Sequence, residues 1–221
     1  MSDGKLKLKS VETDTIVYFI FSACTTALDV GLVIDTSGSI NEGEIRWPLV
    51  VSFLEQLVIQ LDIERNNVRI GAVQFSDKEN LEWTLAQYND RDSIIRAIGR
   101  ISYRGGRTNV AGGLELARTA LFNSNEDRPG VQNIVLLITD GVPNERVQDT
   151  IPQADALKRV VDRVVSVGVT NNTNQQLLED IASSRSDVIR VERFDTLIRE
   201  LNNIVAQVCA PPPAQEAVIQ G

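Results

Sequence analysis

Oxygen-bearing side chains stand at three alternate positions, Asp35, Ser37 and Ser39, at the end of an apolar run in this 221-residue chain. That spacing can aim one carboxylate and two hydroxyls at a common point, and Gly38 between them lets the backbone turn tightly. A second apolar run, much later in the chain, leads to another carboxylate, Asp140. Two carboxylates brought together repel unless one takes a proton or a cation sits between them. Hard divalent cations suit such oxygen donors, and Mg²⁺ keeps a near-octahedral shell with positions left to water or ligand. Oxygen ligands do not separate Mg²⁺ from Mn²⁺ or Ca²⁺. The chain has no histidine, and its two cysteines stand at the margins of the patterned region, so zinc or copper is not expected.

The elements that must position these residues follow from hydrophobic patterning. Residues 30–34 and 134–138 are continuously apolar, as parallel strands covered on both faces are. Further strands are expected over Val68–Phe75, residues 164–169 and Val188–Val191, with a hairpin at 77–80 leading to an antiparallel edge strand over 81–85. Ile45, Leu49, Val50, Phe53, Leu54, Leu57, Val58 and Leu61 fall at helical spacing. Asn41 and Glu44 have the spacing of a capping box for that helix, and Pro48 suits only its first turn. Other helices are expected over residues 93–101, 110–122, 152–161, 175–182 and 196–208. Alternating strands and helices predict an α/β fold of three layers, a six-stranded, mostly parallel sheet with helices on both faces. Ligands of such sheets bind beyond the carboxyl ends of the strands, where the strand order reverses. If the two apolar strands are neighbours there, Asp35 and Asp140 meet.

Three segments together resemble the metal-ion-dependent adhesion motif (MIDAS) of von Willebrand factor A (VWA) domains. They are Asp35-x-Ser37-x-Ser39, the Gly105-Gly106-Arg107-Thr108 loop and Thr139-Asp140-Gly141, in the family's order. The resemblance covers residues 28–208 and implies a Rossmann-like VWA fold. It also implies that Ser37, Ser39 and Thr108 offer neutral oxygens to a metal, Mg²⁺ or else Mn²⁺ or Ca²⁺. Asp35 and Asp140 would hold that metal directly or through water. Two formal negative charges leave a dication able to take a partner's Asp or Glu as its last ligand. Arg104, Arg107 and Asn109 flank Thr108 and are expected on the rim that reads the partner. The implied function is non-enzymatic: cation-dependent binding of an extracellular matrix protein that presents an acidic residue, collagen or another, by a secreted protein of the matrix.

Composition bounds the remainder. The length suits one substantial core, and 43% apolar residues are ordinary for a globular domain. A net charge of −8, from 22 basic and 30 acidic residues, argues against nucleic acid as a partner. Residues 24–209 are assigned to the VWA domain, 210–221 to a Pro-rich tail, and 1–23 to an N-terminal extension. In that extension Lys5, Lys7 and Lys9 precede apolar residues 16–23, an atypical signal segment or a linker. The run is too short to span a bilayer, and no other stretch reads as transmembrane. Cys24 and Cys209 flank the domain, so a bridge would tie its ends together in an oxidising compartment; two free thiols in a cytosolic protein is the alternative. In integrin-type relatives the last helix shifts to change affinity. A bridge at Cys209 would restrain it here, which predicts a single affinity state. Asn171-Asn172-Thr173 is a sequon, with Asn171 the glycan acceptor.

Other readings compete. Asp35-Thr36-Ser37-Gly38 is only superficially like an aspartic-protease signature, because Ser37 interrupts it and the helix–strand alternation is wrong for that class. A phosphate-transferring enzyme could also use strand-end aspartates with Mg²⁺, yet it would want a nucleophile or general base beside the metal. Arg104 and Arg107, its candidate phosphate groups, read better as solvent-facing arginines that tune selectivity for acidic partners. Two non-enzymatic alternatives are a matrix component assembling through metal-independent surfaces and an intracellular scaffold. Trp47 and Trp83 read as packing residues. Gly112-Gly113 reads as close helix packing, since no Gly-Lys-Ser/Thr follows it.

Overall fold

The computed structural model describes residues 27–41, 46–123 and 125–210. The strands are β1 (Leu28–Asp35), β2 (Val68–Phe75), β3 (Glu79–Trp83), β4 (Gln132–Thr139), β5 (Arg163–Val169) and β6 (Val188–Val191). They form one sheet in the order β3-β2-β1-β4-β5-β6, in which only β3 runs antiparallel. The helices are α1 (Trp47–Ile59), α2 (Arg91–Ile98), α3 (Val110–Leu116), α4 (Thr150–Lys158), α5 (Gln175–Ile181) and α6 (Leu201–Cys209). Strand β1 is buried at every position, which its unbroken apolar run requires of a central strand. Its alternate residues feed two cores. Leu28, Val30, Leu32 and Ile34 pack with α1, α2 and α6, while Val33 packs with α3 and α4 on the other face. This is the three-layer fold the patterning predicts.

Local differences from expectation have identifiable causes. The edge strand begins at Glu79 because the turn before it is tight, with Ser76 N–H donating to the Lys78 carbonyl at 3.1 Å. Helix α1 starts at Trp47, with Pro48 in the first turn, where its missing N–H is harmless. Its N-cap residue is Arg46 rather than the expected Asn41, although Asn41 Oδ1 reaches the helix start and accepts from the N–H groups of Arg46 and Trp47, both at 2.8 Å. Glu44, the other half of the expected capping box, lies outside the described residues. The helix expected over 110–122 is α-helical only to Leu116. Ala117–Leu121 then widens into a π turn closed by Phe122 N–H on the Ala117 carbonyl at 3.4 Å. That wider turn seats Phe122 and Leu121 on two bare strand positions. A methyl group at Gly31 would lie 2.7 Å from the Phe122 ring, and one at Gly71 would lie 2.7 Å from Leu121 Cδ2. The last helix is preceded by a 3₁₀ segment, Phe194–Glu200, so its α-helical part begins later than the expected residue 196.

Two arginines, half-buried Arg128 and buried Arg163, brace the end of the sheet opposite Asp35. Arg128 pairs with Asp29 of β1 at 2.8 Å and also donates to the carbonyls of Asn66, Leu28 and Asn67. Arg163 at the start of β5 pairs with Asp187 and donates to the Gln207 carbonyl near the end of α6 at 2.8 Å. Cys209 is packed against the core at the end of α6. Cys24, the segment 1–23 and the tail beyond Ala210 lie outside the described residues, so the bridge and those boundaries are proposals.

Candidate metal centre

Strands β1 and β4 are parallel neighbours in the middle of the sheet, with Ile34 opposite Ile138. Their carboxyl ends therefore deliver Asp35 and Asp140 to one crevice. Asp35 is 1% exposed; its Oδ1 accepts from Ser37 N–H at 2.8 Å and its Oδ2 from the Thr139 hydroxyl at 2.6 Å. The short 3₁₀ turn Gly38–Asn41 carries Ser39 across the gap, where its hydroxyl donates to Asp140 Oδ1 at 2.6 Å and lies 3.1 Å from the Ser37 hydroxyl. Thr139 is a residue that the spacing argument missed. Its place at the end of an apolar strand, one residue before Asp140, was the available signal.

Gly38 matters for closeness, not for the turn. Its backbone is not left-handed; instead, a methyl group there would lie 3.1 Å from the Gly106 carbonyl, which accepts from Gly38 N–H at 2.9 Å. Gly105 N–H in turn donates to the Thr36 carbonyl at 2.9 Å, and the Tyr103 hydroxyl to the Gly38 carbonyl at 3.2 Å. These bonds lace the loop after β1 to the loop before α3. The latter turns through left-handed Gly105 and Gly106, with φ of 69° and 84°, a region few side chains tolerate. It brings Thr108 in, 4% exposed. A methyl group at Gly141 would lie 3.3 Å from Ser39 Oγ and 3.7 Å from Thr108 Oγ1, so both hydroxyls face that glycine. Asp35, Ser37, Ser39, Thr108 and Asp140 thus occupy one crevice at the carboxyl edge.

The expected rim divides. Arg104 is exposed, and Arg107 is exposed and paired with Glu145 at 2.5 Å, which raises its pKa. Asn109 is not a rim residue: it is 4% exposed, its Oδ1 caps α3 by accepting from Gly112 N–H at 3.0 Å, and its amide faces Glu79. Asn171 is exposed on the loop after β5, beyond Thr170, whose φ is 73°. Gly113 packs as expected, with a methyl group there falling 2.6 Å from the Phe75 ring.

Burial dominates the electrostatics of the crevice. It pushes the Asp35 carboxyl up, opposed by hydrogen bonds from Ser37 and Thr139. Asp140 is pushed up to about 7, first by burial and then by the Asp35 charge, with Ser39 and the Arg46 guanidinium opposing. Among the described residues no three Asp, Glu, His or Cys side chains gather at one point. The crevice instead offers two carboxylates and three hydroxyls, an all-oxygen set that suits a hard dication better than a soft one.

Residues 29–206 match the von Willebrand factor type A domain, and the chain belongs to that family. It is 31% identical to human vitrin over 189 residues, which are 84% of this chain and 26% of vitrin. It is 30% identical to the mouse collagen alpha-6(VI) chain over 213 residues, 92% of this chain and 9% of the collagen. The chain therefore spans under a third of the length of either relative. Among solved structures, it resembles proximal thread matrix protein 1 from the mussel byssus with a zinc-occupied MIDAS motif. That likeness has a TM-score of 0.78 and 27% identity over 86% of this chain and 48% of that one. The motif of that relative thus holds zinc. VWA domains with this motif bind divalent metals, and zinc is among them.

Proposed function

We propose that the chain binds a protein of the extracellular matrix through a divalent cation. Asp35, Ser37, Ser39, Thr108 and Asp140 would hold the cation, and an acidic side chain of the partner would complete its shell. The observation that carries this reading is the crevice itself. Two buried carboxylates share it, Asp140 is pushed up to about 7, and three hydroxyl oxygens stand beside them. A dication would relieve that repulsion, and with only two formal charges on the protein side it would retain affinity for a third. The cation is proposed as Mg²⁺, with Mn²⁺, Ca²⁺ and Zn²⁺ as alternatives. The relatives support the setting, since they include a collagen chain and a byssal thread matrix protein. Among the described residues no helix is long and apolar enough to cross a membrane. Collagen is one candidate partner, and any matrix protein presenting an exposed Asp or Glu fits the same chemistry.

Binding to a panel of immobilised matrix proteins tests the reading. Binding in Mg²⁺ or Mn²⁺ should vanish with EDTA, and Asp140→Ala should lose it while keeping its fold. Equal binding by wild type and Asp140→Ala, or binding indifferent to EDTA, would overturn the proposal and favour assembly through metal-independent surfaces.

A further inference from the structure

Four of the five crevice residues sit at a strand end or within four residues of one, on segments that leave β1 or β4 directly. Thr108 does not. It follows two left-handed glycines, Gly105 and Gly106, residues with more backbone freedom to lose on ordering than any other type. Its backbone is nonetheless gripped on both sides. Asn144, on the loop between β4 and α4, accepts from Thr108 N–H through Oδ1 at 2.9 Å and donates its own N–H to the Thr108 carbonyl at 3.1 Å. On the opposite side Asp77, in the turn between β2 and β3, accepts from Arg107 N–H through Oδ1 at 2.7 Å. The Asp77 carboxylate lies so close over Gly106 that any side chain at 106 would overlap it. The loop carrying Asn144 is itself braced, because Arg146 pairs with Glu115 at 2.8 Å and with Asp149 at 3.0 Å.

Resting on the metal reading above, we infer that Asp77 and Asn144 are positioning residues that hold the Thr108 hydroxyl at the metal. Asp77 is distant from every crevice residue in sequence and Asn144 follows Asp140 by four residues, and each acts on the backbone of the Thr108 loop. Fixing that backbone in advance removes an ordering cost from metal binding, which is how partners behind a ligand raise affinity.

Equilibrium titration with Mn²⁺ alone, on the full chain, tests this. Asn144→Ala and Asp77→Ala should each weaken Mn²⁺ binding by about 10-fold. Asp77→Asn keeps an acceptor oxygen of the same shape and should restore affinity close to wild type. If both residues act through Thr108, neither alanine substitution weakens binding further in a Thr108→Ala background. Full additivity in that background, or wild-type affinity for both single variants, overturns the inference and leaves the metal site standing. Wild-type Mn²⁺ binding by Thr108→Ala and Asp140→Ala would instead remove the metal site itself. Circular dichroism of each variant without metal separates loss of fold from loss of affinity, and Asp77→Ala, with Asp77→Asn as its control, carries the test if Asn144→Ala does not fold.

Discussion

Asp140 holds its proton to about pH 7 because it is buried beside the Asp35 charge. Its carboxyl is raised above the ordinary aspartate value of 3.8, so between those two values the folded, metal-free chain binds more protons than the unfolded one. Stability from this residue is therefore full at the acid end of that window and is lost as pH rises through about 7. Urea unfolding of the metal-free protein, compared with Asp140→Asn at about pH 5 and about pH 8, should show wild type losing ground to the variant as pH rises. Metal reverses the sign. A cation needs the deprotonated carboxylate, so Mn²⁺ affinity should rise from about pH 6 to about pH 8 in wild type, and calorimetric titration at the two values measures it. A flat profile would mean that Asp140 is not a ligand.

At the scale of elements, helix α3 is set against the sheet by a residue with no side chain. A methyl group at Gly113 would lie 2.6 Å from the Phe75 ring and 3.2 Å from Val33 Cγ1. Gly113→Ala should therefore destabilise the chain by ~1–3 kcal/mol, the usual range for overpacking, as read from urea unfolding. The same substitution should disturb the crevice, because the Phe75 carbonyl accepts from both the N–H and the hydroxyl of Thr36, beside Asp35. The glycine pair was legible in the sequence as close packing. Its partner, the π turn at Ala117–Leu121, was not. A hydrophobic stripe at helical spacing does not distinguish an α turn from a π turn, and here contact with Gly31 and Gly71 makes the difference.

For the whole molecule, the question is whether the end of the chain can move. Helix α6 is held to β5 by Arg163, which donates to the Gln207 carbonyl and to Gln207 Oε1 while paired with Asp187. Both side chains of that pair are buried, 7% and 1% exposed, so Arg163→Ala would strand a carboxylate and should cost about 3–5 kcal/mol in chemical denaturation. This clamp and the proposed Cys24–Cys209 bridge act on the same helix. Together they predict one affinity state, so partner affinity should be unchanged when the chain is reduced under conditions that keep it folded. A several-fold rise on reduction would show that α6 is free to shift.

Much of the architecture was decided by local chemistry alone. Continuous apolar runs over residues 30–34 and 134–138 demand strands covered on both faces, and carboxylates at their ends demand a proton or a cation if they meet. Asp35, Ser37, Ser39 and Asp140 were legible for that reason, and Thr108 through its likeness to the family's glycine loop. What the sequence could not decide depends on contacts between distant segments. The pairing of β1 with β4 brings the two aspartates together. Asn109, polar and beside a proposed ligand, turned inward because α3 needed a cap, and a cap is indistinguishable by type from a rim residue. Asp77 and Asn144 carry no spacing signal, since each acts on the Thr108 loop from another loop of the fold. The sequence by itself determined which oxygens can meet a cation. Only the tertiary structure decided what holds them there, because a hydrogen bond between loops depends on where the sheet puts them.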